Sequence, residues 1–328
     1  MVPVHQTRRR FLKQMTRSSS LACAVAAICV LAGTSIFAQK PAQPPQRRDD
    51  SPQKIGVLEV RLPISVKKDK KFVGGLAVSN FEVYEDGKRQ KIEKFIAPSQ
   101  LPLNIAVLMD TSNSVKLKLP FEKDAAEDFV ATVTTFRRRD QVLFATFDSD
   151  VELHQDFTDA QEPLIRAIKA VKAGGYTKLY DGVYRVIEEK MSTPQNTDAR
   201  RIIVILSDGE DTASEHTLKD AIEMAERFDV TVFGISTKNF KGITSGMVEN
   251  ADDKELRRLC EETGGQLFLP SEKIELFRAF TQVAQDLRQE YVVFYTPTNQ
   301  TKSSKRRDIR VKVVAADGHP YHKQGYVY

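Results

Sequence analysis

The chain has 328 residues, of which 41% are hydrophobic and 28% are charged, a composition typical of a globular protein with a sizeable core. Its formal net charge of +5 arises from five basic residues within 1–38, a stretch without any acidic residue. The 44 basic and 44 acidic residues that follow cancel, and this balance argues against nucleic acid as a partner.

The first 38 residues have the layout of an export signal. A basic segment, 8–17, precedes an apolar segment, 21–38, and polar, proline-containing sequence follows at once. The segment 7–13 (TRRRFLK) is similar to the bacterial twin-arginine signal. We therefore expect an exported protein, periplasmic or secreted. If cleavage after Ala38 does not occur, residues 21–38 would anchor the protein in the inner membrane.

The composition changes twice after the signal. Residues 39–54 are rich in proline, glutamine and charge, and they predict a disordered linker. Hydrophobic residues then alternate from 55 onward, and the segment 85–88 (EDGK) predicts a hairpin turn. We assign 55–100 to a small β module. Because so short a piece is not stable alone, we expect it to pair with strands from elsewhere in the chain.

A regular alternation of strands and helices occupies 101–285. Four apolar runs of strand-like length alternate with helical patterns, at 104–109, 141–147, 201–206 and 231–235. This alternation is typical of the α/β class, with an open, doubly wound, mostly parallel Rossmann-like sheet that helices cover on both faces. Ligands of such folds bind beyond the carboxyl ends of the strands.

The last segment, 286–328, returns to strand patterns. Three stretches alternate in hydrophobicity, at 291–295, 308–314 and 321–328. We expect these strands to pair with those of 55–100. The two flanks would then build one accessory β module beside the α/β domain.

Oxygen-bearing side chains follow two of the buried strands. The run 104–114 (NIAVLMDTSNS) ends with Asp110, Ser112 and Ser114 on alternate residues, and Asp208 follows the run at 201–206. Thr177 stands after a glycine pair at the start of a helix. If the two strands are neighbours, these side chains meet at one edge of the sheet.

Carboxylates and hydroxyls are hard oxygen ligands. A set of two carboxylates and three hydroxyls suits Mg²⁺ or Mn²⁺. Each residue also has a simpler interpretation. Ser112, Ser114 or Thr177 could cap a helix, and Asp208 with Gly209 could form a turn. Their joint occurrence at one predicted sheet edge favours the metal site.

The pattern Asp110-x-Ser112-x-Ser114, with Thr177 and Asp208, resembles the metal-ion-dependent adhesion site of the von Willebrand factor type A domain, which is also found in integrin I domains. The resemblance covers roughly 101–285. The segments 80–87 and 291–295 are similar to those of exported bacterial proteins with a type-A-related domain. The resemblance implies that both serines bind the cation directly, and that the threonine and the aspartates bind it directly or through water.

One residue departs from the family pattern. In the family, the threonine often follows glycine directly, whereas Tyr176 precedes Thr177 here. At this position the ring could cover part of the site and restrict the access of a ligand.

The resemblance implies a binding protein rather than an enzyme. In such a site the cation accepts a Glu or Asp of a partner protein in place of a water. We therefore expect a partner that presents an acidic residue, and the oligomeric state stays open.

Two alternatives remain. An Mg²⁺-dependent phosphoryl-transfer hydrolase could use Asp110, as in haloacid-dehalogenase-like phosphatases, but their second aspartate is Ser112 here. The sequence also lacks a nucleophile elbow, a phosphate-cradling loop and a dinucleotide motif. In the other alternative, the β module binds the partner and the cation is only structural.

Overall fold

The computed structural model describes residues 58–69, 71–97, 101–136, 140–192, 199–208, 211–238 and 251–327. These residues belong to one compact unit, Lys54–Tyr328. The predicted export signal and linker lie outside them. Among the described residues, no helix combines the length and the apolar character that a membrane crossing requires.

The described residues form fifteen strands and six α-helices. The strands are β1 (Val60–Lys68), β2 (Lys71–Phe72), β3 (Phe81–Glu85), β4 (Lys88–Gln90), β5 (Lys94–Ile96), β6 (Leu103–Asp110), β7 (Gln141–Phe147), β8 (Val151–Thr158), β9 (Arg200–Ser207), β10 (Val230–Ser236), β11 (Leu267–Phe268), β12 (Tyr291–Tyr295), β13 (Arg307–Val313), β14 (His319–Tyr321) and β15 (Gly325–Tyr326). The helices are α1 (Leu119–Phe136), α2 (Gln161–Ala170), α3 (Leu179–Val186), α4 (Leu218–Arg227), α5 (Ala251–Glu262) and α6 (Lys273–Asp286).

Six strands form the central sheet, in the order β11-β10-β9-β6-β7-β8. All neighbours in it are parallel except β8, which runs antiparallel to β7 at the edge. The predicted α/β class with a doubly wound, mostly parallel sheet is therefore confirmed. Strand order reverses between β9 and β6, and ligands of such sheets bind at this point.

The sequence of β6 explains why helices cover both faces of this sheet. All eight of its residues are buried. Ile105, Val107 and Met109 join one hydrophobic cluster with side chains of α1, α2 and α6. Ala106 and Leu108 join the opposite cluster, with side chains of α3, α4 and α5. Because strand side chains alternate between faces, one continuous apolar run supplies both layers of the core.

The accessory β module consists of two further sheets. One has the order β14-β1-β12-β5, with β2 beside β1, and the other has the order β15-β13-β3-β4. In both sheets, strands that precede the α/β domain pair antiparallel with strands that follow it. The expected pairing of the two flanks is confirmed. The prediction of one strand at 321–328 is wrong, because β14 ends at Tyr321 and the separate strand β15 (Gly325–Tyr326) belongs to a different sheet.

A tight turn and a buried carboxylate organise the second of these sheets. Asp86 and Gly87 connect β3 to β4 with φ of 48° and 78°, the left-handed conformation that a two-residue hairpin turn requires. Just before the turn, buried Glu85 accepts hydrogen bonds from the hydroxyls of Tyr295 and Tyr326 and pairs with Arg307. Since Tyr295 lies in β12, this network joins the two sheets.

Buried ion pairs connect the β module to the α/β domain. The ammonium of Lys67 in β1 pairs with Asp286 at the end of α6 and donates to Gln266 Oε1 at 2.6 Å. Arg200 at the start of β9 pairs with Glu290, just before β12. All four charged side chains are buried. Charges of this kind tolerate burial only with their partners, so they fix the docking of the module.

Replacing Lys67 with methionine leaves Asp286 as a buried carboxylate without its cation. We expect Lys67→Met to lower the free energy of unfolding by about 3 kcal/mol, measured by denaturant unfolding. The matched control is Lys68→Met, which removes only the exposed pair with Asp317 and should have little effect. Equal effects of the two substitutions would contradict the role of the buried pair.

Candidate metal centre

The register of the central sheet brings the two predicted aspartates to the same edge. β6 pairs directly with β9, and Met109 lies opposite Leu206. Asp110 is therefore the last residue of one strand, and Asp208 directly follows Ser207 at the end of its neighbour. The hydroxyl of Ser207 donates to Asp110 Oδ2 at 2.7 Å, which links the two strand ends.

The loop after β6 turns one carboxylate and two hydroxyls toward one another. Asp110 is fully buried, and its Oδ1 accepts a hydrogen bond from the backbone N–H of Ser112 at 2.8 Å. The hydroxyls of Ser112 and Ser114 are 2.8 Å apart. Ser112 precedes a single 3₁₀ turn, Asn113–Val115, but its side chain makes no capping hydrogen bond. Helix capping therefore does not account for Ser112.

The loop that carries Thr177 is bound to the first loop by its backbone. The N–H of Gly174 donates to the carbonyl of Thr111 at 2.7 Å, and the side-chain amide of Asn113 donates to the carbonyl of Gly175 at 3.0 Å. Gly175 has a φ of 81°, and a Cβ there would lie 2.6 Å from Ser149 Oγ, so glycine is required.

Thr177 is buried next to this glycine pair. Its backbone is held by the loop after β9, because its N–H donates to Thr212 Oγ1 at 3.1 Å and its carbonyl accepts from the N–H of Thr212 at 2.9 Å. The N-cap of α3 is Lys178 rather than Thr177. Tyr176, just before it, is 70% exposed.

Asp208 is the fifth predicted ligand, and its buried negative charge is only partly balanced by neighbouring groups. Asp208 is 4% exposed, and its Oδ1 makes no hydrogen bond to any of the residues that the structure describes. Its Oδ2 lies 3.8 Å from the ammonium of Lys118, which is itself buried. Gly209 lies outside the described residues, so the alternative of a turn at Asp208 and Gly209 is not decided.

Burial makes the charge on these carboxylates costly. It raises the pKa of Asp110 to about 7, although hydrogen bonds from Ser112 and Ser207 oppose the shift; the charge of Asp208 adds to it. A divalent cation would offset both charges. The donor set fits such an ion, because every candidate ligand is a hard oxygen and one buried oxygen of Asp208 lacks a partner within the described chain.

The site is poor in the residue types that usually mark a metal centre. Within the described ranges, no group of three or more His, Cys, Asp and Glu side chains could hold a metal ion. Two carboxylates with three hydroxyls do not meet that description. The prediction of a metal site rests instead on the spacing of the hydroxyl residues along the sequence.

Three further polar residues around the site were not predicted from the sequence. Ser207 orients Asp110, and Lys118 pairs with Asp208. Glu122, one helical turn after Lys118, is completely buried. Burial raises the pKa of Glu122 to about 8; a hydrogen bond from Thr237 and the charge of Lys118 oppose the shift, and the charges of Asp110 and Asp208 add to it. The four-residue spacing of Lys118 and Glu122 was the available signal, but it usually marks a solvated helix face.

The central sheet and its helices form an α/β domain, and oxygen-bearing side chains lie at the carboxyl ends of two of its strands. A family model of the von Willebrand factor type A domain matches residues 104–283. This match spans more than half of the chain, and the chain belongs to that family.

A curated relative and two solved structures are similar to this chain. Integrin alpha-M of Mus musculus is 23% identical over 208 residues, which are 61% of this chain and 17% of the integrin. A structure of proximal thread matrix protein 1 from the mussel byssus, with zinc in its MIDAS motif, is 21% identical with a TM-score of 0.46. It covers 58% of this chain and 49% of the mussel chain.

The second structure is an aerotolerance-related membrane protein from Bacteroides fragilis, 14% identical with a TM-score of 0.45. It covers 56% of this chain and 98% of that chain. This chain thus spans a small part of the integrin and about half of the mussel protein. At these identities the likeness concerns the fold alone.

The pKa of Glu122 predicts how stability depends on pH in the absence of divalent cations. The folded pKa of about 8 lies above the ordinary value of 4.5, so the folded state holds this proton more tightly. Its contribution to stability is present below pH 4.5 and is lost as the pH rises to about 8.

Glu122→Gln removes this titration. We expect the variant to gain stability over the unmodified protein by up to about 1.4 kcal/mol per pH unit between pH 5 and 8. Denaturant unfolding in EDTA at several pH values measures the difference. A difference that stays constant over this range would contradict the raised pKa of the buried Glu122 carboxyl.

Proposed function

We propose that this protein is an extracytoplasmic protein-binding module of the adhesion or scaffold type, which captures an acidic side chain of a partner through a divalent cation. It is supported by the pairing of β6 with β9, whose carboxyl ends carry two aspartates, and by the hydrogen bonds that join the two loops carrying three hydroxyl residues. Five oxygen-bearing side chains thus lie on strand ends and loops of the same sheet edge. These are Asp110, Ser112, Ser114, Thr177 and Asp208.

The five side chains would provide two kinds of ligand for the cation. Asp110 and Asp208 supply two negative charges, and the hydroxyls of the serines and of Thr177 supply neutral oxygens. Bound Mg²⁺ or Mn²⁺ would keep its affinity for one further anionic oxygen, because two carboxylates only just balance its charge. A Glu or Asp of the partner protein is the group that suits this position.

The surrounding residues hold these ligands in place before the partner arrives. Ser207 and the backbone of Ser112 each engage one oxygen of Asp110. The hydrogen bonds of Asn113 to Gly175 keep the first and second loops together. Such pre-organisation lowers the entropy lost on binding. The proposed location outside the cytoplasm rests on the export signal read from residues 1–38.

A catalytic role for Asp110 is less compatible with this geometry. A carboxylate nucleophile must reach its substrate, whereas Asp110 is completely buried and both of its oxygens already accept hydrogen bonds. A phosphatase assay with Mg²⁺ tests this rival directly. Turnover that disappears in Asp110→Asn would favour the hydrolase.

Isothermal titration calorimetry with MgCl₂ and MnCl₂ tests the metal site. Ser112→Ala removes a neutral ligand without burying a new charge, and we expect it to weaken cation binding by at least about tenfold. The control is Ser79→Ala, which removes an exposed hydroxyl from the accessory β module and should change the affinity by less than about threefold. The proposal would be overturned if the unmodified protein bound neither cation, or if Ser112→Ala bound the cation as tightly as the unmodified protein.

A further inference from the structure

Two apolar side chains stand out on the loops of the metal centre. Leu117 is 72% exposed and Tyr176 is 70% exposed, the highest values among the large hydrophobic residues that the structure describes. Leu117 follows Ser114 by three residues, and Tyr176 directly precedes Thr177. Single exposed apolar residues are common on protein surfaces and need no explanation. Here, however, the two most exposed ones lie on the two loops that carry three of the candidate ligands.

The backbone around Leu117 is not free to turn this side chain inward. Its neighbours Val115 and Lys118 are buried, and the N–H of Lys118 donates to the carbonyl of Val115 at 2.8 Å. α1 begins directly after this turn, at Leu119. Leu117 is thus exposed on an anchored turn, where burying it would mean moving buried neighbours.

Tyr176 is fixed in a similar way. Its N–H donates to Ser149 Oγ at 3.0 Å, and Thr177 after it is buried. The two loops are also bound to each other, because Asn113 donates to the carbonyl of Gly175. Both apolar side chains therefore project from a shared, hydrogen-bonded framework.

This arrangement favours a partner segment with mixed chemistry. A loop whose backbone is already hydrogen-bonded loses less entropy on contact, and tyrosine is enriched among the residues that dominate binding energy. Lys116, beside Leu117, is exposed and adds positive charge to the rim. A purely acidic, hydrophilic segment would use the cation and the lysine but leave both apolar side chains in water.

We propose that Leu117 and Tyr176 form an apolar rim of the metal centre and select an acidic residue flanked by apolar side chains in the partner. This inference rests on the proposed function, since the cation is what binds the acidic residue. The rim decides which acidic segments bind, and it does not contribute to holding the cation.

Fluorescence polarisation with two labelled peptides tests the inference on the purified full chain in MgCl₂. Both peptides have one central glutamate, flanked by leucine and phenylalanine in the first and by serine and glycine in the second. We expect the first to bind at least about tenfold more tightly. Leu117→Ser and Tyr176→Ser should each reduce this preference, and the double variant should abolish it.

Two controls separate the inference from the proposed function. Val78→Ser changes another exposed apolar residue, in the accessory β module, and should leave the preference unchanged. Calorimetry should give the same Mg²⁺ affinity for the rim variants as for the unmodified chain. If Mg²⁺ binds and the two peptides bind equally, the rim is refuted while the proposed function stands. If Mg²⁺ binds but neither peptide binds, capture of an acidic side chain fails, and the rim fails with it. If Mg²⁺ itself does not bind, the proposed function fails.

Discussion

The central constraint on this structure is the burial of two carboxylates, Asp110 and Asp208, at the ends of two adjacent parallel strands. Their negative charges are close together and shielded from water, which is energetically unfavourable. Parallel pairing of β6 with β9 puts their carboxyl ends side by side, so the fold imposes the proximity of the two carboxylates. Hydrogen bonds from Ser207 and Ser112 relieve Asp110, and Lys118 partly relieves Asp208. The Oδ1 atom of Asp208 accepts no hydrogen bond from any described residue. A bound cation is the simplest way in which a protein makes such an arrangement favourable.

The rest of the molecule keeps this edge in place. Hydrophobic residues of β6 pack into the clusters on both faces of the sheet, so the strand cannot shift without disrupting two cores. Around the edge, backbone hydrogen bonds join the loops that carry the candidate ligands. The accessory β module is joined to the α/β domain by buried ion pairs, such as that of Lys67 in β1 with Asp286 in α6. Its strands come from both flanks of the α/β domain, which explains why neither flank needs to fold alone.

The α/β fold and its buried strands could be predicted from the sequence because the patterns that indicate them are local. Continuous apolar runs identified the buried strands, and polar residues directly after two of them pointed to one sheet edge. Strand direction was not predictable in the same way: β8 runs antiparallel, and hydrophobic alternation does not encode direction. Lys118 and Glu122 were missed because charged residues four apart are normally solvated, and only the packed fold buries both. The two separate short strands β14 and β15, in place of one strand at 321–328, likewise depend on the sheet with which each of them pairs.

The central claim is that the side chains at the ends of β6 and β9 ligate one divalent cation. Anomalous diffraction from crystals grown with MnCl₂ tests it most directly. The account predicts a single manganese peak within about 2.2 Å of the hydroxyl oxygens of Ser112 and Ser114, next to Asp110 and Asp208. A fully occupied manganese peak elsewhere, with none at this edge, would contradict it.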